Sequence, residues 1–143
     1  MNRSDRTDDT LTIPIRRFVT KRLIAVDHNS TIQESAARMV EFDISSLGVL
    51  ENERVVGIVT DTDLKQRALA SGRSTDDPVY HIMTRELITA DINSTVQNVL
   101  QLMSKNKIKH ILVTDRDEVV GVTTMKDLED LDIQGLETLI SRD

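Results

Sequence analysis

The stretch DHNSTIQ at 27–33 returns 64 positions later as DINSTVQ at 91–97, and that step decides the fold. Slid by the same interval, the chain matches itself without a gap. Thr20, Leu23 and Ile24 fall on Thr84, Leu87 and Ile88, and Met39, Ile44 and Val49 fall on Met103, Ile108 and Val113. Val55, Val56 and Gly57 fall on Val119, Val120 and Gly121; Thr60, Asp63 and Leu64 fall on Thr124, Asp127 and Leu128. Between 20–64 and 84–128, 17 of 45 positions are identical, far more than unrelated segments share. The chain is an internal duplication.

Both copies parse alike. A short apolar strand (23–26; 87–90) leads into a polar turn. Ser30 or Thr31 then offers an N-cap hydroxyl, with Gln33 or Glu34 at capping-box spacing, and the second copy repeats Ser94 with Gln97. Ile32, Ala36 and Met39, and likewise Val96, Leu100 and Met103, recur at the spacing of an amphipathic helix, with the methionines as core fillers. Two strands follow, 47–50 with 55–60 and 111–114 with 119–124, each pair joined by a charged hairpin turn (51–54; 115–118). A second helix begins near Thr60 or Thr124 and turns Leu64 and Ala68, or Leu128 and Leu131, inward; Gly72 suits its C-cap. The expected fold class is α+β (mixed α/β), two β-α-β-β-α repeats at 11–72 and 79–131. A linker at 73–78, a disordered N-terminal tail at 1–10 and a C-terminal extension at 132–143 complete the plan. One such unit is too small to cover both faces of its sheet, so the copies are expected to pack about a pseudo-two-fold axis.

Composition narrows the function. Of 143 residues, 38% are hydrophobic and 29% charged, an ordinary globular balance, while 2% aromatics leave the core to aliphatic side chains. The absence of cysteine excludes disulfides, thiolate catalysis and Cys-based zinc sites. A net charge of −6 disfavours nonspecific binding to nucleic acid or to an anionic membrane. No run approaches the roughly 18 apolar residues of a membrane span. The opening MNRSDRTDDT lacks the apolar centre of a secretory signal, so the expected location is the cytoplasm. Against the acidic background, Lys105, Lys107, Lys109 and His110 gather positive charge.

GIVTDTDL at 57–64 and GVTTMKDL at 121–128 resemble the terminal signature of CBS domains, named for the regulatory part of cystathionine β-synthase. NSTI at 29–32, Met39 and ISSLGV at 44–49 are also similar to that family, and the resemblance covers 11–131. It implies a stand-alone tandem CBS pair, or Bateman module, whose two packed sheets leave clefts for AMP, ADP, ATP or S-adenosylmethionine. By the same resemblance Asp63 and Asp127 take the ribose hydroxyls, with Thr60 and Thr124 beside sugar and phosphate. The backbone at Ile24 and Ile88 frames the adenine, and Ser45-Ser46 and Lys109-His110 face phosphate. Elementary chemistry agrees: a carboxylate can accept from both hydroxyls of a diol, and a helix start presents free N–H groups to an anion. The same Thr-x-x-Asp spacing is equally an ordinary helix cap. Where the second copy has Lys109-His110 the first has Ser45-Ser46, so the cleft receiving the cations is expected to accommodate phosphate better. Gly48 and Leu112 stand where the family often has proline, which leaves the local turn geometry open.

The expected function is a regulatory sensor that binds an adenosine nucleotide, AMP, ADP or ATP foremost, and transmits occupancy to an unidentified effector protein. The alternative is a ligand-free CBS module used for dimerisation or as a scaffold. Neither reading needs a cofactor or catalytic residues, and His28, His81 and His110 sit in no metal-binding spacing. A homodimer is expected through helix faces carrying Ala36, Ala37 and Val40, or Val99 and Leu102.

Overall fold

Residues 12–19 and 23–129 are described by the computed structural model. The expected tail at 1–10, the extension at 132–143 and Leu131 lie outside the described residues. Runs of β-branched and aliphatic residues between charged turns form the strands that the patterning predicts. The first copy contains β1 (Ala25–Asp27), α1 (Ile32–Phe42), β2 (Ser46–Glu51) and β3 (Arg54–Thr60). Its second helix, α2, opens at Asp61–Asp63 and continues through Leu64–Leu69 with widened turns, in which the Ala70 N–H donates to the Lys65 carbonyl at 2.8 Å. The second copy contains β4 (Thr89–Asp91), α3 (Val96–Asn106), β5 (His110–Asp115) and β6 (Glu118–Thr124), and residues 125–129 are helical.

Each copy therefore builds a three-stranded sheet with its strands in sequence order. The first strand runs parallel to the second, and the second antiparallel to the third. The charged turns are two-residue loops. Asn52 and Glu53 have φ of 51° and 65°, and Arg116 and Asp117 have 53° and 66°. Positive φ at both central positions matches the right-handed twist of the flanking strands.

The helix caps differ in one detail from the sequence reading. Thr31 accepts from the Glu34 N–H while the Glu34 carboxylate accepts from the Thr31 N–H, a full capping box. In α3 the cap is Thr95, accepting from the Asn98 N–H at 3.2 Å, rather than Ser94 with Gln97. Asn98 replaces the acid that would return the second bond, so this cap is one-sided. Both helices end on a left-handed residue, Asp43 and Lys107.

The described residues form two compact units, 23–87 and 12–19 with 88–129. Val26, Ile32, Met39, Leu47, Val49 and Val59 centre the core of the first; Ala90, Val96, Val99, Met103, Ile111 and Val113 centre that of the second. The inner stripe of α3 runs Val96–Val99–Met103, with Leu100 only half-buried. Val99 is 0% exposed, so it belongs to this core and cannot supply the outward dimer face expected of it.

Each unit also takes a lead segment from the chain preceding the other copy. Val79 and Ile82 bury on the first sheet, and the Val79 N–H donates to the Ser30 carbonyl at 2.7 Å while the Asp77 carbonyl accepts from the Ile32 N–H. In the second unit Ile15 donates to the Ser94 carbonyl and the Ile13 carbonyl accepts from Val96, the same pair of bonds 64 residues displaced. Pro14 and Pro78 open the two segments at that same interval. Proline fixes φ and donates no hydrogen bond, which suits the entry to a short tight turn. These bonds satisfy N–H groups at the starts of α1 and α3, which the helices cannot satisfy themselves.

Candidate functional site

The strand directions decide which side chains meet. Because β1 is parallel to β2 and β3 returns antiparallel, the start of β1, the start of β2 and the end of β3 share one end of the sheet. Ser46 pairs with Thr60, and the Asp61 N–H donates to the Ser45 carbonyl at 3.0 Å. Ile24 immediately precedes β1 at that end, its carbonyl accepting from the Gly48 N–H at 3.0 Å. The second sheet repeats this. His110 pairs with Thr124, the Met125 N–H donates to the Lys109 carbonyl at 2.8 Å, and Ile88 immediately precedes β4. The eight candidate residues thus form two groups. Ile24, Thr60 and Asp63 share one sheet end with Ser45 and Ser46; Ile88, Lys109, His110, Thr124 and Asp127 share the other.

Within the first group the aspartate is engaged. Asp63 Oδ2 accepts from the Thr60 N–H at 2.9 Å and lies 3.2 Å from the Thr60 hydroxyl, while the Asp63 N–H donates to Thr60 Oγ1 at 3.3 Å. Arg67 Nε stands 3.6 Å from Asp63 Oδ1, one helical turn on, and Arg67 also donates to the carbonyls of Ile82 and Met83. Asp63 is 9% exposed. Its carboxylate closes a capping box and, through Arg67, ties α2 to the lead segment.

The second group keeps the cap but not the lock. The Asp127 N–H donates to Thr124 Oγ1 at 3.1 Å, and Asp127 is exposed. Among the described residues no hydrogen bond or ion pair engages its carboxylate. The position equivalent to Arg67 is Leu131, which carries no cation. A carboxylate beside a threonine hydroxyl can accept from a vicinal diol.

Gly48 and Leu112 close the question of turn geometry: both are regular strand residues, paired with Ala25 and Thr89. A Cβ on Gly48 would lie 2.9 Å from Leu23 Cδ2, so Leu23 covers the space that Leu112, 1% exposed, fills in the other sheet. Two histidines have local partners instead of a site. His28 Nδ1 lies 3.2 Å from the Leu50 carbonyl oxygen, and His81 Nδ1 lies 3.1 Å from Arg73 Nη1. Among the described residues no three His, Cys, Asp or Glu side chains are grouped to hold a metal ion, and no helix is long and apolar enough to cross a membrane. Sequence reasoning missed Arg67, which is visible as a cation four residues after an N-terminal acid.

Comparison with known proteins agrees with this architecture. The CBS domain family matches residues 15–69 and again 79–132. The CBS domain-containing protein YhcV of Bacillus subtilis is 30% identical over 114 residues, covering 80% of this chain and 81% of its own. The crystal structure of a conserved protein from Pyrococcus horikoshii superposes with a TM-score of 0.81 at 38% identity, over 85% of this chain and 93% of that one. The CBS domain pair of protein MJ0100, solved in complex with 5′-methylthioadenosine and S-adenosyl-L-methionine, superposes with a TM-score of 0.75 at 30% identity, over 84% and 95% of the two chains. Two sheets of one topology, two Thr-x-x-Asp ends and two family matches in tandem lead to one statement: the chain belongs to the CBS domain family, as a CBS-pair regulatory module.

Proposed function

We propose that this module is a cytoplasmic, non-catalytic sensor that binds an adenosine-containing ligand and passes its occupancy to a partner protein. The observation that carries the reading is the sheet end of the second unit. There Lys109 and His110 lie beside Thr124 by strand register, and the Asp127 carboxylate is exposed without a partner among the described residues. Asp127 takes the ribose hydroxyls, Thr124 and Lys109 lie toward phosphate, and Ile88 lies against the base. The relative MJ0100, 30% identical, holds two adenosine compounds. A thermal-shift series with adenosine, AMP, ADP, ATP and S-adenosylmethionine tests the reading. A ligand at 100 times its Kd adds about 2.7 kcal/mol to stability, and flat melts with all five would refute it.

A second reading rests on a different surface. Val40 is 82% exposed, Leu69 81% and Phe42 43%, all on helices of the first unit. Apolar groups left in water on one unit suit association, which favours a dimerising or scaffolding module. Sedimentation that finds a monomer of 16.1 kDa at high concentration would remove it.

A further inference from the structure

The outer faces of α1 and α3 descend from one template and now differ in kind. On α1 the exposed residues Ala37, Val40 and Glu41 lie three and four positions apart, so they share one outer stripe. At the equivalent positions α3 has Gln101, Ser104 and Lys105, also exposed. Val40 is 82% exposed, an apolar knob, and the small polar Ser104 replaces it on α3. The left-handed C-caps that follow are Asp43 and Lys107.

The unengaged charge of the two faces is opposite. On α1 Glu34 is used in the capping box, and the Arg38 guanidinium lies 5.2 Å over the Phe42 ring. That leaves Glu41 and Asp43, both exposed, against Lys105 and Lys107 at the same places on α3. Among the described residues none of these four forms an ion pair. Acids at the end of α1 oppose the negative pole of the helix, so a cation from outside the unit is favoured by both. Joining α1 to α1 of another copy would set acid against acid, and joining α3 to α3 would set lysine against lysine. Only the unlike pairing matches charge, and it also seats Val40 on the small Ser104.

We propose that copies of this chain associate through unlike units: α1 of one copy packs on α3 of another, with Glu41 and Asp43 facing Lys105 and Lys107. This rests on the associating reading of the preceding section and names both its partner and its pairing. In a closed dimer the contact occurs twice, since whatever one copy offers the other returns. The copies of the repeat have diverged into a plug and its seat. Pairing of this kind is partly electrostatic, so added salt weakens it.

The experiment is sedimentation equilibrium of the whole chain at several salt concentrations, with charge-exchanged variants. Self-association should weaken toward roughly 0.5 M salt, where the screening length is only a few ångströms. Glu41→Lys with Asp43→Lys should weaken it at least about tenfold at low salt, because each attraction becomes a repulsion. Lys105→Glu with Lys107→Glu should do the same, and the chain carrying all four exchanges should associate about as tightly as the parent. The sequence has no cysteine, which permits a direct check of the pairing. Under mild oxidation a mixture of Val40→Cys and Ser104→Cys chains should cross-link, whereas neither chain should cross-link to itself. A dimer that tightens with salt, that ignores both charge variants, or whose Val40→Cys chain cross-links to itself would overturn the inference while leaving association intact. A monomer under every condition would remove the associating reading and this inference with it.

Discussion

Asp63 and Asp127 occupy the same step of the same motif, and the protein uses them differently. Asp63 is buried, bonded to the Thr60 N–H and anchored to Arg67, which in turn holds the lead segment at Ile82 and Met83. Asp127 is exposed and, among the described residues, retains only the backbone half of the cap. Duplication supplied two candidate acids. Four residues on stands an arginine in one copy, which engages Asp63, and a leucine in the other, which carries no cation. A motif therefore names the group, and in the first copy the next turn of helix engages it.

The comparison predicts where the copies should behave alike and where they should part. The largest effects should be alike. Met39 is 5% exposed and Met103 0%, in equivalent positions of two cores. Met39→Ala and Met103→Ala should each lower stability by about 2–5 kcal/mol in urea melts, and a neutral result for either would mean that its helix does not pack as described. Next in size, the aspartates should part. Asp63→Ala removes an acceptor from a backbone N–H and strips Arg67 of its ion-pair partner, a loss of about 1.5–3 kcal/mol. Asp127→Ala removes a solvated side chain, with an effect of about 0.5 kcal/mol or less. Equal losses in the ligand-free protein would break the comparison.

Smaller differences should appear at the helix starts. Thr31→Ala undoes a reciprocal capping box, whereas Thr95→Ala removes a single bond. Both should fall within about 0.5–2 kcal/mol, with Thr31 the larger. The smallest concerns Gly72, where φ is +70° and an added Cβ would meet nothing within 4 Å. Gly72→Ala should therefore show conformational strain alone, about 1 kcal/mol, and an unchanged melting curve would mean that this turn relaxes freely.

Much of this was legible in the residues alone. The 64-residue step, the order of strands and helices and the two hairpins follow from local patterns, because hydrophobic period and turn chemistry are encoded within a few residues, although the turns expected at 51–54 and 115–118 tighten to two residues. Strand ends moved by one or two positions, as at β1, which runs Ala25–Asp27 rather than 23–26. The cap on α3 moved from Ser94 to Thr95, since adjacent hydroxyl residues offer the same bond and the backbone chooses between them. The lead segments were not legible as such. Pro14 and Pro78 mark them, but the contacts of Ile15 with Ser94 and of Thr123 with Phe18 span the chain and leave no local period. The site was half legible. The resemblance to CBS domains pointed to Thr60, Asp63, Thr124 and Asp127, whereas the capture of Asp63 by Arg67 needed the fold.

The most direct measurement is the binding of adenosine nucleotide to Asp127→Asn and to Asp63→Asn, side by side, by titration calorimetry. Asparagine keeps the shape and one acceptor oxygen but removes the charge and half of the geometry that accepts a diol. Loss of a hydrogen bond to a charged group, about 1.5–3 kcal/mol, corresponds to roughly 10- to 100-fold in affinity. Asp127→Asn should show that loss with an unchanged melting curve in the absence of ligand, while Asp63→Asn should bind close to the parent and melt earlier. A tight-binding Asp127→Asn beside a crippled Asp63→Asn would contradict the account.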